Sequence, residues 1–247
     1  MLSVALPLFG FFALGAFAYK PFLLSFMPEV LRFQTVDVTR IPRLDRISLQ
    51  HFTDEFLRLG FVWVGDITNT SGIKAFNDGS DAAGAPIPSV DTIQNAHELV
   101  PGFCRVFAHP QQGCLAEAYQ HFPPQGQTST PMNITVSSLL SDGWDITTSN
   151  RKPEAIPYVL RRPRGIRTTH PGSNPGELLN AHLSLRTKLQ HERGTKLIPL
   201  SRLEDYVEQE RRVVRESKEA LRKRLGPVAF WEALTFHLQP KREWLGK

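Results

Sequence analysis

The feature that most constrains this chain is a pair of turn signals, each set between runs of β-forming residues. Phe103 to His109 and Cys114 to Tyr119 flank Pro110-Gln111-Gln112-Gly113, while Met132 to Ser141 and Trp144 to Ser149 flank Asp142-Gly143. Asp-Gly in a two-residue connection is a strong hairpin signal, because a type I′ turn needs positive φ at both positions. Hairpins that follow one another without an intervening helix build an antiparallel meander. The core that such a sheet needs is available. Hydrophobic residues make up 41% of the 247 residues, with 16 Phe and 4 Trp, enough to offset the ordering entropy of a folded domain.

The segments around the hairpins supply the remaining elements. Leu49, Phe52, Phe56 and Leu59 recur at near-helical spacing and Gly60 stops the helix; Phe61 to Ile67, rich in β-branched and aromatic residues, reads as a strand. Residues 68–102 are irregular, with a short strand expected at Ile73 to Phe76 and a helical turn at Asp91 to Leu99. Arg151 to Gly176, rich in Pro, reads as a linker. A helix from about Pro175 to His191 places Leu178, Leu179, His182, Leu185 and Leu189 on one face. A longer one opens on a capping box at Ser201-Arg202-Leu203-Glu204 and ends near Leu225 at Gly226-Pro227. Its apolar stripe is narrow, with Glu210 and Ser217 interrupting it, so it is expected to be largely solvated or docked on the surface. Pro227 to Leu238 is a short, strongly apolar helix, expected to pack on the core or lie on a bilayer with Lys241, Arg242 and Trp244 at the interface.

Leu2 to Tyr19 carries no charged side chain, and apolar character resumes after Lys20 as far as Met27. A spanning helix needs about 20 apolar residues, so residues 2–19, extended to 26, are expected to anchor the chain in a membrane. Ala16-Phe17-Ala18 also fits a signal-peptidase site, and cleavage near Ala18 with export is the alternative. Lys20, Arg32, Arg40, Arg43 and Arg46 follow the span, which by the positive-inside rule puts the domain on the cytoplasmic side of an inner, plasma membrane.

Charge is unevenly spread. Residues 1–150 hold 8 Lys and Arg against 13 Asp and Glu, whereas residues 151–247 hold 21 against 11. The C-terminal excess concentrates in Arg161, Arg162, Arg164 and Arg167, and on the long helix in Arg211, Arg212, Arg215, Arg222, Lys223 and Arg224. These ten residues are the candidate binding site, with anionic phospholipid headgroups as partner. Nucleic acid is the weaker reading, since no stacking aromatics interleave with the arginines.

Motifs for chemistry are missing. The eight His and two Cys form neither His-Glu-x-x-His nor Cys-x-x-Cys, so no metal and no cofactor is expected. There is no Gly-x-Ser-x-Gly elbow and no phosphate-binding glycine loop. His182, on an apolar helix face, reads as a hydrogen-bonded core residue. Cys104 and Cys114 sit on opposite arms of one hairpin, with Cys104 expected opposite Ala118, farther from Cys114 than the roughly 7 Å a disulfide tolerates; both are read as free thiols.

Leu59-Gly60-Phe61 with Gly65-Asp66, then Arg105-Val106-Phe107, Ser138-Leu139-Leu140-Ser141-Asp142-Gly143 with Thr147 to Asn150, and Ala181-His182 together resemble an uncharacterised set of bacterial proteins with an N-terminal membrane segment. The resemblance implies a bacterial origin and no particular activity. The sequence thus predicts an α+β fold: an antiparallel β-meander sheet packed by helices, preceded by one N-terminal transmembrane helix and followed by a long basic helix. Residues 1–28 form the anchor, 29–150 the sheet domain, and 151–247 a basic, mainly helical region packing on or extending from it. The function expected is that of a non-enzymatic, membrane-tethered interaction or scaffold domain. The alternative is a membrane-associated hydrolase using Ser138, Asp142 and His109.

Overall fold

The computed structural model describes residues 15–25, 27–28, 31–69, 102–122 and 130–245. The expected strand at Ile73 to Phe76, the turn at Asp91 to Leu99 and residues 2–14 of the apolar segment lie outside the described residues.

The first described element is helix α1, residues 15–25. Strand β1 (Phe33–Thr35), helix α2 (Arg46–Arg58) and strands β2 (Val62–Asn69), β3 (Gly102–His109), β4 (Cys114–His121), β5 (Asn133–Leu140) and β6 (Asp145–Ser149) follow. Then come α3 (Ala155–Val159), β7 (Gly165–Thr169), α4 (Pro175–Arg193), β8 (Leu197–Ile198), α5 (Leu203–Lys223), α6 (Gly226–Leu238) and β9 (Glu243–Leu245). The strands form one open sheet in the order β1-β2-β3-β4-β5-β6-β7-β9, with β8 also paired to β5. Neighbours are antiparallel except β6 and β7. The α+β class and the meander agree with the expectation. The Pro-rich stretch 151–176, read as a linker, instead holds α3 and β7, because α3 carries the chain across one face so that β7 enters parallel to β6.

Both expected hairpins form, with one correction. Asp142 does not adopt positive φ; only Gly143 does, at 84°. The Gly143 N–H donates to Leu140 O and the Leu140 N–H to Trp144 O, which is a three-residue connection closed by a glycine bulge rather than a type I′ turn. In the first hairpin the register sets Cys104 opposite Tyr119, one residue from the expected Ala118, and both cysteines are free thiols.

Strand alternation divides the core between two faces. On one, Phe103, Phe107, Ala116, Ala118, Ile134 and Val136 meet Phe56 of α2 and Leu178 of α4. Asp45 caps α2 by accepting from the Ser48 N–H at 3.0 Å, and Asn174 with Glu177 forms the capping box of α4. On the other face, Ile67, Val106, Ala108 and Leu115 meet Leu200 and Tyr206. Beside them α3, α6, β9 and α1 make a third cluster containing Leu23, Tyr158, Val159, Leu221, Ala229, Phe236 and Trp244. α5 begins at Leu203, not at the box predicted from Ser201. It is Asp205 that accepts from the N–H groups of Ser201 and Arg202, each at 2.9 Å.

Among the described residues, no helix is long and apolar enough to cross a membrane. The N-terminal transmembrane helix therefore finds no support in them. α1 lies on α6, with the Tyr19 and Phe230 rings edge to face at 5.7 Å, Leu23 buried and the Lys20 ammonium donating to Arg222 O at 2.6 Å. An apolar helix face is satisfied by a protein groove as well as by lipid, and α6 supplies that groove.

Candidate functional site

The ten basic residues singled out by charge do not form one surface. Arg161 is buried; its guanidinium stacks over the Tyr158 ring at 4.1 Å and donates to both Glu232 carboxylate oxygens, at 3.0 and 2.6 Å. Arg224 joins the same carboxylate at 2.9 Å. Arg162, also buried, bridges Asp145 at 2.8 Å and Glu216 at 2.7 Å, and Arg212 approaches Asp145 at 3.8 Å. Arg164 is exposed in the turn before β7, at φ 58°. Arg167 is half-buried on β7. Arg211, Arg215, Arg222 and Lys223 are exposed along α5, the last two in its final turn, where cations suit the helix dipole. Arg161, Arg162, Arg212 and Arg224 are thus bound to acids of this chain. Tight geometry and shared hydrogen bonds are what make such buried pairs tolerable.

Of those acids, Asp145 belongs to a polar layer between α5 and the sheet. Tyr206 donates a short hydrogen bond to Glu117, and the Cys104 thiol lies 3.5 Å from both. Gln209 donates to Asp145. Glu210 lies among Glu117, Asp145, Arg167 and Arg162; burial first, then the two neighbouring carboxylates, push its pKa up to about 8. Burial likewise pushes the Cys104 thiol and the Tyr206 phenol well up. A thiol held protonated in this way is a poor nucleophile. Glu117, Asp145, Glu210 and Glu232 were missed in the sequence; the only signal was Glu210 breaking the apolar stripe of α5.

The residues of the hydrolase alternative are apart in role and setting. Ser138 and His182 are fully buried between β5 and α4, the hydroxyl 2.8 Å from Nε2, while Nδ1 is 3.0 Å from Thr148 Oγ1. Burial, reinforced by Arg186, pushes the His182 pKa down to about 3, so the ring is a neutral bridge between two hydroxyls, as its place on the helix face suggested. Asp142 pairs with Arg193 at 3.0 Å in the β5–β6 turn. His109 packs its ring on Phe61 at 4.8 Å. No metal-binding group of three or more His, Cys, Asp or Glu occurs among the described residues.

The chain matches no family model, no curated protein and no solved structure.

The outward side of α6 stands out. Leu225 is 70% exposed, Val228 45%, Trp231 62% and Leu238 77%, and Leu234 is also exposed. Val228, Trp231 and Leu234, three residues apart, and Leu238, four further on, lie along one side of the helix, with Leu225 at its N-cap. α1, packed against α6, adds Phe17 and Phe22, 69% and 55% exposed. Lys20, Arg222 and Lys223 stand where α1 meets the end of α5, and Lys241 and Arg242 follow the C-terminus of α6. Trp244, expected beside them at an interface, is instead buried against Tyr158 and Phe236.

Proposed function

We propose that the protein is a non-enzymatic module that docks on an anionic membrane surface through the outward side of α6 and the adjoining part of α1. The observation that carries the reading is the row Val228, Trp231, Leu234 and Leu238 left uncovered on a helix whose opposite side buries Ala229, Ala233 and Phe236. Exposed apolar rows of this size mark interaction surfaces rather than solvated ones. An amphipathic helix with aromatic residues on its apolar side and Lys and Arg around it suits the headgroup boundary. Lys20, Arg222, Lys223, Lys241 and Arg242 supply the rim, and each such cation near an anionic leaflet contributes about 1 kcal/mol.

Cys114 is buried and Cys104 half-buried, and desolvation raises the pKa of both thiols, which makes a selective test practical. A solvatochromic label on Leu234→Cys is expected to shift to the blue on vesicles containing phosphatidylglycerol, while the same label on Ile47→Cys, across the sheet on α2, keeps its aqueous emission. No shift at position 234 on vesicles that retain the protein would mean that the tether lies elsewhere and would sink the proposal.

A further inference from the structure

We infer that the cleft where β6 and β7 end is a seat for a phosphate monoester. β6 and β7 are the parallel pair of the sheet, so their C-terminal residues Ser149 and Thr169 lie side by side. The chain leaves β6 there through Arg151 and Lys152 before turning into α3. The result is a shallow cleft, half open to solvent, with Ser149, Thr169 and Arg167 from the strands, Arg151 and Lys152 on the rim, and Trp244 as a wall.

Charge decides the ligand class. Three cations line the cleft against one carboxylate, Glu154, and Arg151 already holds that one at 2.7 Å. The side chains of Arg167 and Lys152 make no hydrogen bond or ion pair among the described residues. Arg167 is half-buried, where a guanidinium without a counter-ion is costly. The acid nearest to it in effect is Glu210, which burial and its neighbours hold protonated near neutrality. Lys152 and Arg167, neither in an ion pair within 4 Å among the described residues, match the two charges of a phosphate monoester better than the single charge of a carboxylate. The fork of Arg167 suits phosphate oxygens, with Lys152 as a point charge.

Trp244 joins this cleft to α6, because its ring packs on Phe236 on the buried side of that helix. The phosphate is therefore that of a lipid headgroup, as in phosphatidate, or that of a soluble ester. Only the choice of source rests on the membrane reading; the cleft itself does not.

The experiment uses the full chain. Inorganic phosphate is titrated against it at constant ionic strength, with backbone amide shifts of residues 149–152 and 167–169 as readout. A saturable response is expected, weakened at least about tenfold in Lys152→Gln/Arg167→Gln, since a ligand this small is held by a few charge-assisted hydrogen bonds and the double variant removes two of their donors. Arg167→Lys, which keeps the charge and the fold, is expected to retain most of it. A response that never saturates, or one identical in the double variant, overturns the inference. Vesicles of phosphatidate and of phosphatidylglycerol, matched in surface charge, then separate the sources. Preference for phosphatidate that the double variant loses identifies a headgroup, and saturable phosphate binding without lipid preference identifies a soluble ester. Saturable phosphate binding by a protein that ignores every vesicle supports the cleft while overturning the docking proposal.

Discussion

At Glu210, three carboxylates share the space beneath α5 with two guanidinium groups, and burial adds to their repulsion. Its folded-state pKa, about 8, lies above the ordinary value of 4.5. The folded state therefore holds a proton the unfolded chain releases. Its stabilising effect is complete below about pH 4.5 and is lost as pH rises through 8. Glu210→Gln removes this dependence, and denaturant melts at pH 5, 7 and 9 are expected to show the variant gaining on the wild type by on the order of 2 kcal/mol at the alkaline end. Parallel curves would disprove the assignment. His182 works in the opposite sense: its depressed pKa, about 3 against 6.5, contributes stability above pH 6.5 that is lost as pH falls toward 3. His182→Ala leaves Ser138 and Thr148 without a partner beside a cavity, and is expected to cost about 3 kcal/mol or more in the same melts. Of these two residues His182 was legible in the sequence, because its place at a helical position among Leu178, Leu179 and Leu185 foretold burial. The setting of Glu210 was not, since Glu117 and Asp145 reach it from strands far away along the chain. The same holds for Arg161, whose partner Glu232 is 71 residues distant; a run of arginines in sequence says nothing of the carboxylates that fold onto it.

Local elements were the most legible. α2, β2 to β6 and α4 follow from periodicity and turn residues because their hydrogen bonds are made within the element or to the next strand. β7 and β9 did not show, as parallel entry by β7 depends on α3 crossing a face, and β9 pairs with β7 from the far end of the chain. The destination of α1 was ambiguous for a different reason. Its residues have no preference between a bilayer and an apolar groove until α6 is in place. A Cβ added at Gly226 would lie 3.0 Å from Ala16 O, tighter than backbone tolerates without movement. Gly226→Val is therefore expected to push α1 off α6 and speed amide exchange across residues 15–25, with exchange in α2 and α4 unchanged. Unaltered protection of residues 15–25 would show that α1 is held by other packing.

The whole molecule is asymmetric about its sheet. The face under α2 and α4 is built from consecutive strands and one apolar cluster with Phe56, Phe103 and Phe107 at its centre. On the opposite face, the cluster under α6 is assembled from both ends of the chain, α1 and Leu23 from one and β9 with Trp244 from the other, closed over α3. Because that second assembly draws on parts of the chain far apart in sequence, it is expected to open before the first. Trp244 is its pivot, being in ring contact with Tyr158 at 5.9 Å and Phe236 at 6.2 Å while pairing β9 to the edge of β7. Trp244→Ala is expected to cost about 3–4 kcal/mol locally. In native-state hydrogen exchange α1, α3 and α6 should then open together at a free energy below that of β3, β4 and α4. The docking proposal needs this division: α1 and α6 are the elements left free to adjust to a surface while the other face stays rigid. If Trp244→Ala lowered protection equally across the sheet and α4, the protein would be one cooperative unit, and a bilayer would meet a surface that does not adapt.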